Sequence, residues 1–459
     1  MNLKTLLWQS PGTQVSHHKE TANLPTEQLP VPEKVILPMR QHVGAACEAC
    51  VQKGDRVLVG TMVGRAPSAM SMHIYSSVSG TVSSVEQILY NAGENDTVVV
   101  ISPDGTQTPD PDIRPPEVHD LDSFVGALEH SGIVSLGGAG FPTDVKVRPK
   151  NLSEIDTLLI NGAECEPYLT TDNREFLECS DTVLSGIHAC LDFLGIPGAK
   201  ICIEDNKPEA IRLMRRLCRN DSRISICVLE SRYPQGAQNV LIKNATGRTV
   251  PRGARHTSVG VMMLNVTTVS TIGKFLKTGM PLTHKRLTVA GDAILHPKNL
   301  EVPIGTPIED ILRYCGLREE PQKIIIGGPM MGSAQMDVHY PITRQNNGLL
   351  AFGKKAAEPV RSSACIRCGR CINACPMGLS PVEIRKAYYD LDPERLDRLM
   401  ADLCIGCGKC VRDCPVGAMT VRGNVARVDY TKCVGCGKCA ASCPVGAIQI
   451  LEKYQPQTI

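Results

Sequence analysis

Aromatic side chains are scarce in this sequence: they make up 4% of it, and tryptophan occurs once. Stacking platforms for single-stranded nucleic acid and the aromatic girdles of membrane proteins both draw on such rings, so neither is expected. Net charge is equally slight. Lys and Arg number 49 against 47 Asp and Glu, leaving +2, which removes the basic field that nucleic-acid binding needs. No apolar run approaches the roughly 18 residues of a membrane span. The richest stretches, "VGVMMLNVTTV" and "KIIIGGPMMG", are short and broken by Gly, Asn or Pro. The opening "MNLKTLLWQSPGTQVSHHKE" has too short an apolar patch for a secretory signal. The chain is therefore expected in the cytosol, without a transmembrane segment of its own, and any membrane association should come through a partner.

What the sequence has in abundance is cysteine, 21 in 459 residues. A reducing compartment turns that many thiols toward metal or redox chemistry rather than disulfides. Twelve of them fall in the last hundred residues in a repeated pattern, while Cys179, Cys190, Cys202, Cys218, Cys227 and Cys315 are scattered among apolar neighbours. Those six are expected to be small buried hydrophobes. Cys47 and Cys50 form a lone C-x2-C with no second pair nearby and read as ordinary thiols.

With 42% hydrophobic residues, a chain of this length should form several domains. Residues 1–32 read as a polar, solvated arm. Residues 33–102 alternate apolar and polar positions between glycine turns, "KGDRVLVGTMVGR" and "IYSSVSGTVSSVE", as a small β module does. "PDGTQTPDPDIRPPEV", from Pro103, reads as a linker. Over 115–280, helical text such as "PEAIRLMRRLCR" alternates with buried-strand candidates "IDTLLING", "GAKICIED" and "ISICVLE", an α/β layer pattern. Residues 285–340 read as a small α+β module around "TPIEDILRYCGL", followed by a loop near 343–362. The cysteine-rich tail, 360–459, includes a helical spacer, "PVEIRKAYYDLDPERLDRLMAD".

Three segments of that tail have the form C-x2-C-x2-C-x3-C-P: Cys365, Cys368, Cys371 and Cys375; Cys404, Cys407, Cys410 and Cys414; Cys433, Cys436, Cys439 and Cys443. One short loop of this kind presents three thiolates to three corners of a cubane, and the Pro-flanked fourth thiolate serves the cluster of another motif. Small residues between the ligands keep backbone N–H groups close to the cluster sulfurs. Structural zinc also takes four thiolates, but rarely three so closely spaced, and not in three consecutive copies. The twelve ligands suffice for three [4Fe–4S] clusters. A hairpin turning at Arg422-Gly423-Asn424 would make motifs two and three a compact two-cluster unit, whereas Cys375 of motif one could instead exchange with Cys414, so two or three clusters and their pairing stay open.

Clusters pass single electrons, so a cofactor that splits a hydride pair, such as flavin, is the natural donor. "SLGGAGFPTDVK" (135–146) is a Gly-rich loop where missing Cβ atoms let backbone N–H groups approach a phosphate and Lys146 could add charge. A plain turn is the competing reading, because the third Gly of the dinucleotide fingerprint is missing. "INGAECEPYLTTDNREF" sets Asn161, Glu164, Cys165 and Glu166 behind the apolar strand "TLLI", where open α/β sheets bind ligands. A polar loop with an Asn turn would look the same.

In the order "GGAGFPTDVK", "NGAECEPYLTTD", "YPQGAQ", "CIRCGRCINACPMGLSP", the chain resembles the C-subunit family of Rnf electron-transport complexes, and the likeness runs nearly through motif two. Its flavin region is similar to the 51-kDa NADH-oxidising subunit of respiratory complex I. The resemblance implies a multidomain α/β and α+β fold: a lipoyl-like β barrel, a complex I 51-kDa-like flavin domain, an SLBB β-grasp module and a ferredoxin-like C-terminal domain. It implies Gly137, Gly138, Gly140 and Lys146 at the FMN phosphate, Asn161 and Glu164 at the flavin, and Phe141 and Glu166 at the nicotinamide nucleotide. Tyr233, Gly236, Asn265 and Thr268 would close the flavin pocket. Catalysis would then fall to Phe141, Glu164 and Glu166, with NAD(H) as substrate and the membrane subunits and a ferredoxin-type subunit as partners at the cytoplasmic face of the membrane.

Departures accompany the likeness. Gln238 stands where the family has an acidic residue after "YPxGA", and the third cysteine motif exceeds the usual two. Met70-Ser71-Met72 occupies the place of a carrier's Met-Lys-Met, so no swinging arm can attach. His17, His18 and Lys19 match the family's basic N-terminal segment, although a solvated arm is the simpler expectation. Against NAD(H)-driven, ion-coupled electron input stand two alternatives, a soluble iron–sulfur relay of the proline-reductase type and a cobalamin reductase.

Overall fold

The computed structural model describes residues 12–89, 95–251, 254–358, 368–375, 377–401, 419–422 and 425–428. The chain divides into two units, the larger made of His17–Ser231 with Leu241–Ala357 and the smaller of Met1–Ser16, Arg232–Val240 and Glu358–Ile459.

The larger unit begins with the β module. Strands Val35–Pro38, Asn95–Pro103, Gly80–Leu89 and Arg56–Val57 make one antiparallel sheet, and Glu48–Ala49, Met62–Arg65 and Ile74–Tyr75 a second. Val35 faces Ile101 and Leu37 faces Val99 across the ladder, and all four are fully buried, so alternate residues of these two strands line the core. The Pro- and Asp-rich stretch expected as a linker instead continues this module. Val59 N–H donates to Thr108 O and Val59 O accepts from Asp110 N–H, while Asp104 accepts from Ser79 Oγ at 2.7 Å. Backbone and short polar side chains make these contacts, which leave no apolar period to read.

The α/β layer is a parallel sheet in the order Ile224–Leu229, Ala199–Glu204, Thr157–Gly162, Val261–Asn265. Leu158, Leu159 and Ile160 are fully buried, as a strand covered on both faces requires. Register places Asn161 between Cys202 and Asn265 at the C-terminal ends of the central strands. Asn265 also starts the helix Val266–Thr278, its side chain accepting from Thr267 N–H. One hydrophobic core runs from the β module into this layer, from Val35 and Ile101 to Leu158 and Val269.

The α+β module is a six-stranded sheet, Thr26–Gln28, Lys298–Pro303, His284–Ala290, Gly348–Phe352, Lys323–Ile326 and Ser333–Gln335, with helix Ile308–Cys315. Two expectations fail here. The arm is no solvated tail, since Thr26–Gln28 pairs in parallel with Asn299–Glu301. The loop near 343–362 contains a fully buried strand, Gly348–Phe352, paired with Thr288–Ala290 on one side and Lys323–Ile326 on the other. Of the six scattered cysteines, Cys190, Cys202, Cys218 and Cys315 are buried as expected, whereas Cys179 and Cys227 keep partial exposure.

In the smaller unit the helical spacer is two helices, Pro381–Tyr389 and Pro393–Arg398. Asp392 caps the second by accepting from Arg395 N–H at 2.9 Å, with Pro393 at its first turn. Met419–Arg422 pairs antiparallel with Val425–Val428 and sets Arg422 opposite Val425, the hairpin anticipated at that point. Among the described residues, no helix is long and apolar enough to cross a membrane.

Candidate functional site

The Gly-rich segment is a tight loop leading into helix Thr143–Val147. Ser135 N–H donates to Phe141 O and Gly140 N–H to Ser135 O, closing the loop on itself. Gly138 has φ +103°, a conformation costly for any residue with a Cβ. A Cβ there would meet nothing within 4 Å, and Gly137, Gly138 and Ala139 are exposed. The loop therefore turns an open backbone face outward. Its other face is anchored to the sheet: Leu136 N–H donates to Thr268 Oγ1 at 2.9 Å, and the buried Lys285 donates to Leu136 O at 3.1 Å. Val43 N–H of the β module donates to Gly140 O at 2.8 Å.

Lys146 lies one helical turn beyond. Desolvation lowers its pKa to about 8, its hydrogen bond is to Ser135 Oγ at 3.5 Å, and no carboxylate lies within ion-pair distance of it among the described residues. A partly desolvated cation whose hydrogen-bond partner is a hydroxyl gains from an anion beside it.

At the strand ends, Asn161 Oδ1 accepts from Ala163 N–H at 3.2 Å. Asn265 Nδ2 donates to Asn161 O at 3.3 Å and to Asp172 Oδ2 at 2.9 Å. A Cβ on Gly137 would stand 3.1 Å from the Asn265 amide, so the Gly-rich loop and the strand ends are neighbours. Glu164 follows at φ +49°. Its carboxylate turns to the N-terminus of helix Thr171–Glu178, accepting from Asp172 N–H at 2.7 Å and Asn173 N–H at 3.4 Å, where the helix dipole favours an anion. Burial nevertheless raises its pKa, as it raises that of Asp172 to about 6.

Glu166 accepts from Met330 N–H at 3.0 Å and Met331 N–H at 2.8 Å of the "GGPMMG" turn. Desolvation raises its pKa to about 7, against the pull of those two donors and of Lys19. Gly328 is the residue that permits the contact, because a Cβ there would fall 2.3 Å from Glu166 Oε2.

Sequence reasoning missed Lys19. Its Nζ donates to Glu164 O and Glu166 O, each at 2.9 Å, and also to Leu169 O. The basic match of His17–Lys19 to a family segment was the available signal. It also missed Lys207, whose Nζ donates to Ala163 O at 2.8 Å and pairs with Glu204 at 3.1 Å, both side chains buried.

Gly137, Gly138, Gly140, Phe141, Lys146, Asn161, Glu164, Glu166, Asn265 and Thr268 all belong to the larger unit, where direct contacts join the Gly-rich loop to Thr268 and Asn265, and Asn265 to Asn161. Tyr233 and Gly236 belong to the smaller unit, where Tyr233 and Thr13 exchange backbone hydrogen bonds. Of the cluster ligands, Cys368, Cys371 and Cys375 flank or form the short helix Arg370–Ala374, with Cys371 buried. Cys365, Cys404, Cys407, Cys410, Cys414, Cys433, Cys436, Cys439 and Cys443 lie outside the described residues.

Family models match the chain in sequence: the RnfC barrel sandwich hybrid domain over 9–106, the Nuo51 FMN-binding domain over 128–274 and the SLBB domain over 286–334. Two 4Fe-4S dicluster domains match over 358–421 and 403–447, and both include motif two. The C-subunit of the proton-translocating ferredoxin:NAD(+) oxidoreductase complex of Clostridium ljungdahlii is 40% identical over 79% of this chain and 80% of its own length. Its Na(+)-translocating counterpart from Acetobacterium woodii is 39% identical over 81% of this chain and 85% of its own. The C-subunit of an ion-translocating oxidoreductase complex from Rhodobacter capsulatus is 35% identical over 83% and 74%. An NAD+-reducing [NiFe]-hydrogenase structure in the H2-reduced state shares 17% identity over 64% of this chain and 61% of its own, at a TM-score of 0.46.

Proposed function

Because the chain belongs to the RnfC family, the C-subunits of ferredoxin:NAD(+) oxidoreductase complexes, we propose that it is the electron-input subunit of such a complex. It would pass electrons between NAD(H) and ferredoxin or membrane subunits, peripherally at the cytoplasmic face, with the flow coupled to ion translocation. The observation that carries this reading is the exposed, side-chain-free backbone of Gly137 and Gly138 against the Asn265 amide at the C-terminal ends of a parallel sheet, with Lys146 bonded to Ser135 at the start of the same loop. A phosphate is the anion that fits there, and the donors present suit FMN.

The residues would divide the work. Gly137 and Gly138 would offer backbone N–H groups to the phosphate, Gly140, whose own N–H donates to Ser135 O, would shape the loop, and Lys146 would neutralise the phosphate. Thr268 fixes the Gly-rich loop against the sheet, and Asn265 ties the strand ends to Asn161 and Asp172. Glu164 organises the strand-end loop by capping the following helix, and Asn161 lines the same edge. Bound FMN would supply the change from hydride-pair to single-electron chemistry that the clusters require. Glu166 and Phe141 would face the nucleotide, Glu166 held by two backbone donors and titrating near neutrality. The twelve motif cysteines would hold the [4Fe–4S] clusters.

Domains would follow as a β module at 33–102, a flavin domain at 115–280, an SLBB module at 285–340 and an iron–sulfur domain at 360–459, with residues 1–32 as the N-terminal segment. Chain purified without oxygen should carry about one FMN and roughly 8 to 12 iron, and NADH should bleach its flavin spectrum. Iron without flavin, or flavin that NADH leaves oxidised, would favour a pure relay instead.

A further inference from the structure

The "NGAECEPYL" loop holds two residues in left-handed backbone conformation, Glu164 at φ +49° and Tyr168 at φ +70°. Neither is glycine, and each such residue costs about 1–3 kcal/mol unless its surroundings impose it. Those surroundings come from the N-terminal segment. His17 O accepts from Tyr168 N–H at 2.9 Å, the His18 ring stacks on Tyr168 with centroids 4.7 Å apart, and Thr21 Oγ1 meets Thr170 Oγ1 at 2.6 Å. Between them, the three donors of the Lys19 ammonium are matched one for one by the carbonyls of Glu164, Glu166 and Leu169.

We propose that His17–Lys19 is part of the active site, with Lys19 a positioning residue that holds the 164–169 loop in the backbone conformation presenting Glu166 to the nucleotide. The proposal rests on the preceding functional reading. A compact ammonium suits this task better than a planar guanidinium, because its three donors splay toward three points around one atom. Lys19 also acts by charge. The groups facing it are Glu164, Glu204, Lys207 and Cys165, and Glu166 feels it as its nearby cation. His17, in turn, faces Lys19, Lys207, Asp205 and His18.

The test compares K19M and K19R with the wild-type full-length chain, purified anaerobically. It measures flavin and iron content, steady-state NADH oxidation with ferricyanide as acceptor, and the pH profile of kcat/KM. Both variants should keep their FMN, because the Gly-rich loop makes no bond to Lys19. In both, kcat/KM should fall by about 10- to 100-fold, as small misplacements of a reacting group cost. The acid limb should move to higher pH in K19M, which loses the cation favouring the Glu166 carboxylate, and stay in place in K19R. A merely structural role would lower the melting midpoint without moving that limb.

Wild-type kcat/KM and limb in flavin-loaded K19M, or wild-type kcat/KM in K19R should K19M not fold, overturns the assignment. So does selective loss of FMN from folded K19M, which would make Lys19 a cofactor ligand. A wild-type chain that binds no FMN defeats the functional reading instead.

Discussion

Replacing Lys146 by methionine should change stability in opposite directions depending on whether flavin is present. In the flavin-free chain the ammonium is desolvated, and its pKa drops from 10.5 to about 8. At about 1.4 kcal/mol per factor of ten, the drop corresponds to about 3 kcal/mol of penalty for keeping the charge. Lys146 retains partial exposure, so solvent screening brings the expected penalty to about 1–3 kcal/mol. The sign with pH follows from proton binding. Between about 8 and 10.5 the unfolded chain holds the lysine proton more strongly than the folded one, and stability rises with pH through that window. Below it the penalty is fully present. K146M removes the penalty, so its flavin-free form should melt about 1–4 °C higher at pH 7, and the rise between pH 8 and 10.5 should disappear.

With FMN bound the order reverses. A phosphate beside Lys146 restores the lost solvation, and a charge-assisted hydrogen bond is worth about 1.5–3 kcal/mol, so K146M should bind FMN about 10- to 150-fold more weakly. Flavin titration of the reconstituted chain, alongside thermal melts with and without FMN at several pH values, measures both arms. Unchanged FMN affinity in K146M, or a flavin-free K146M that melts below wild type, refutes the assignment of Lys146 as the phosphate cation.

Other perturbations test neighbouring parts. G328A would place a methyl group 2.3 Å from Glu166 Oε2 and 2.7 Å from its Cβ, so Glu166 must leave the Met330 and Met331 donors. Its kcat/KM for NADH should fall at least about tenfold with flavin content intact, and unaltered kinetics would mean that Glu166 plays no part. In the wild-type enzyme kcat/KM should decline as pH falls below about 7, where Glu166 takes a proton and ceases to be a charged acceptor for those two donors; a flat profile from pH 6 to 8 contradicts this. C371S should lose about four iron and keep its FMN, and full iron content in that variant would remove motif one from cluster ligation.

The fold was legible wherever burial follows a period. Val82 is buried between the polar Thr81 and Ser83, and "TLLI" is an unbroken apolar run, because one strand has one covered face and the other has two. It was illegible where partners are remote in sequence. The strand Gly348–Phe352 has an apolar text shorter than a helical turn pair, and only its placement between Thr288–Ala290 and Lys323–Ile326 makes it a strand. The edge strand Thr26–Gln28 is entirely polar, and what orders it is a parallel ladder with residues about 273 positions away.

The site divides along the same line. Glycines in "SLGGAGF" advertise an open backbone because no other residue tolerates φ +103° at Gly138, and cysteines at cluster spacing advertise their metal because few other uses need that spacing. A carboxylate or an ammonium carries no such mark. Glu164 is expected at the flavin, and its oxygens accept from the amides of Asp172 and Asn173, which ties the carboxylate to the helix that follows the loop. Lys19 sits among polar residues with no period, and its three acceptors lie 145 to 150 residues further along the chain. A lone charge in a polar segment is usually solvated. What distinguishes this one is that two strained residues, Glu164 and Tyr168, occur in the loop it touches, and strain of that kind persists only where something outside the loop holds it.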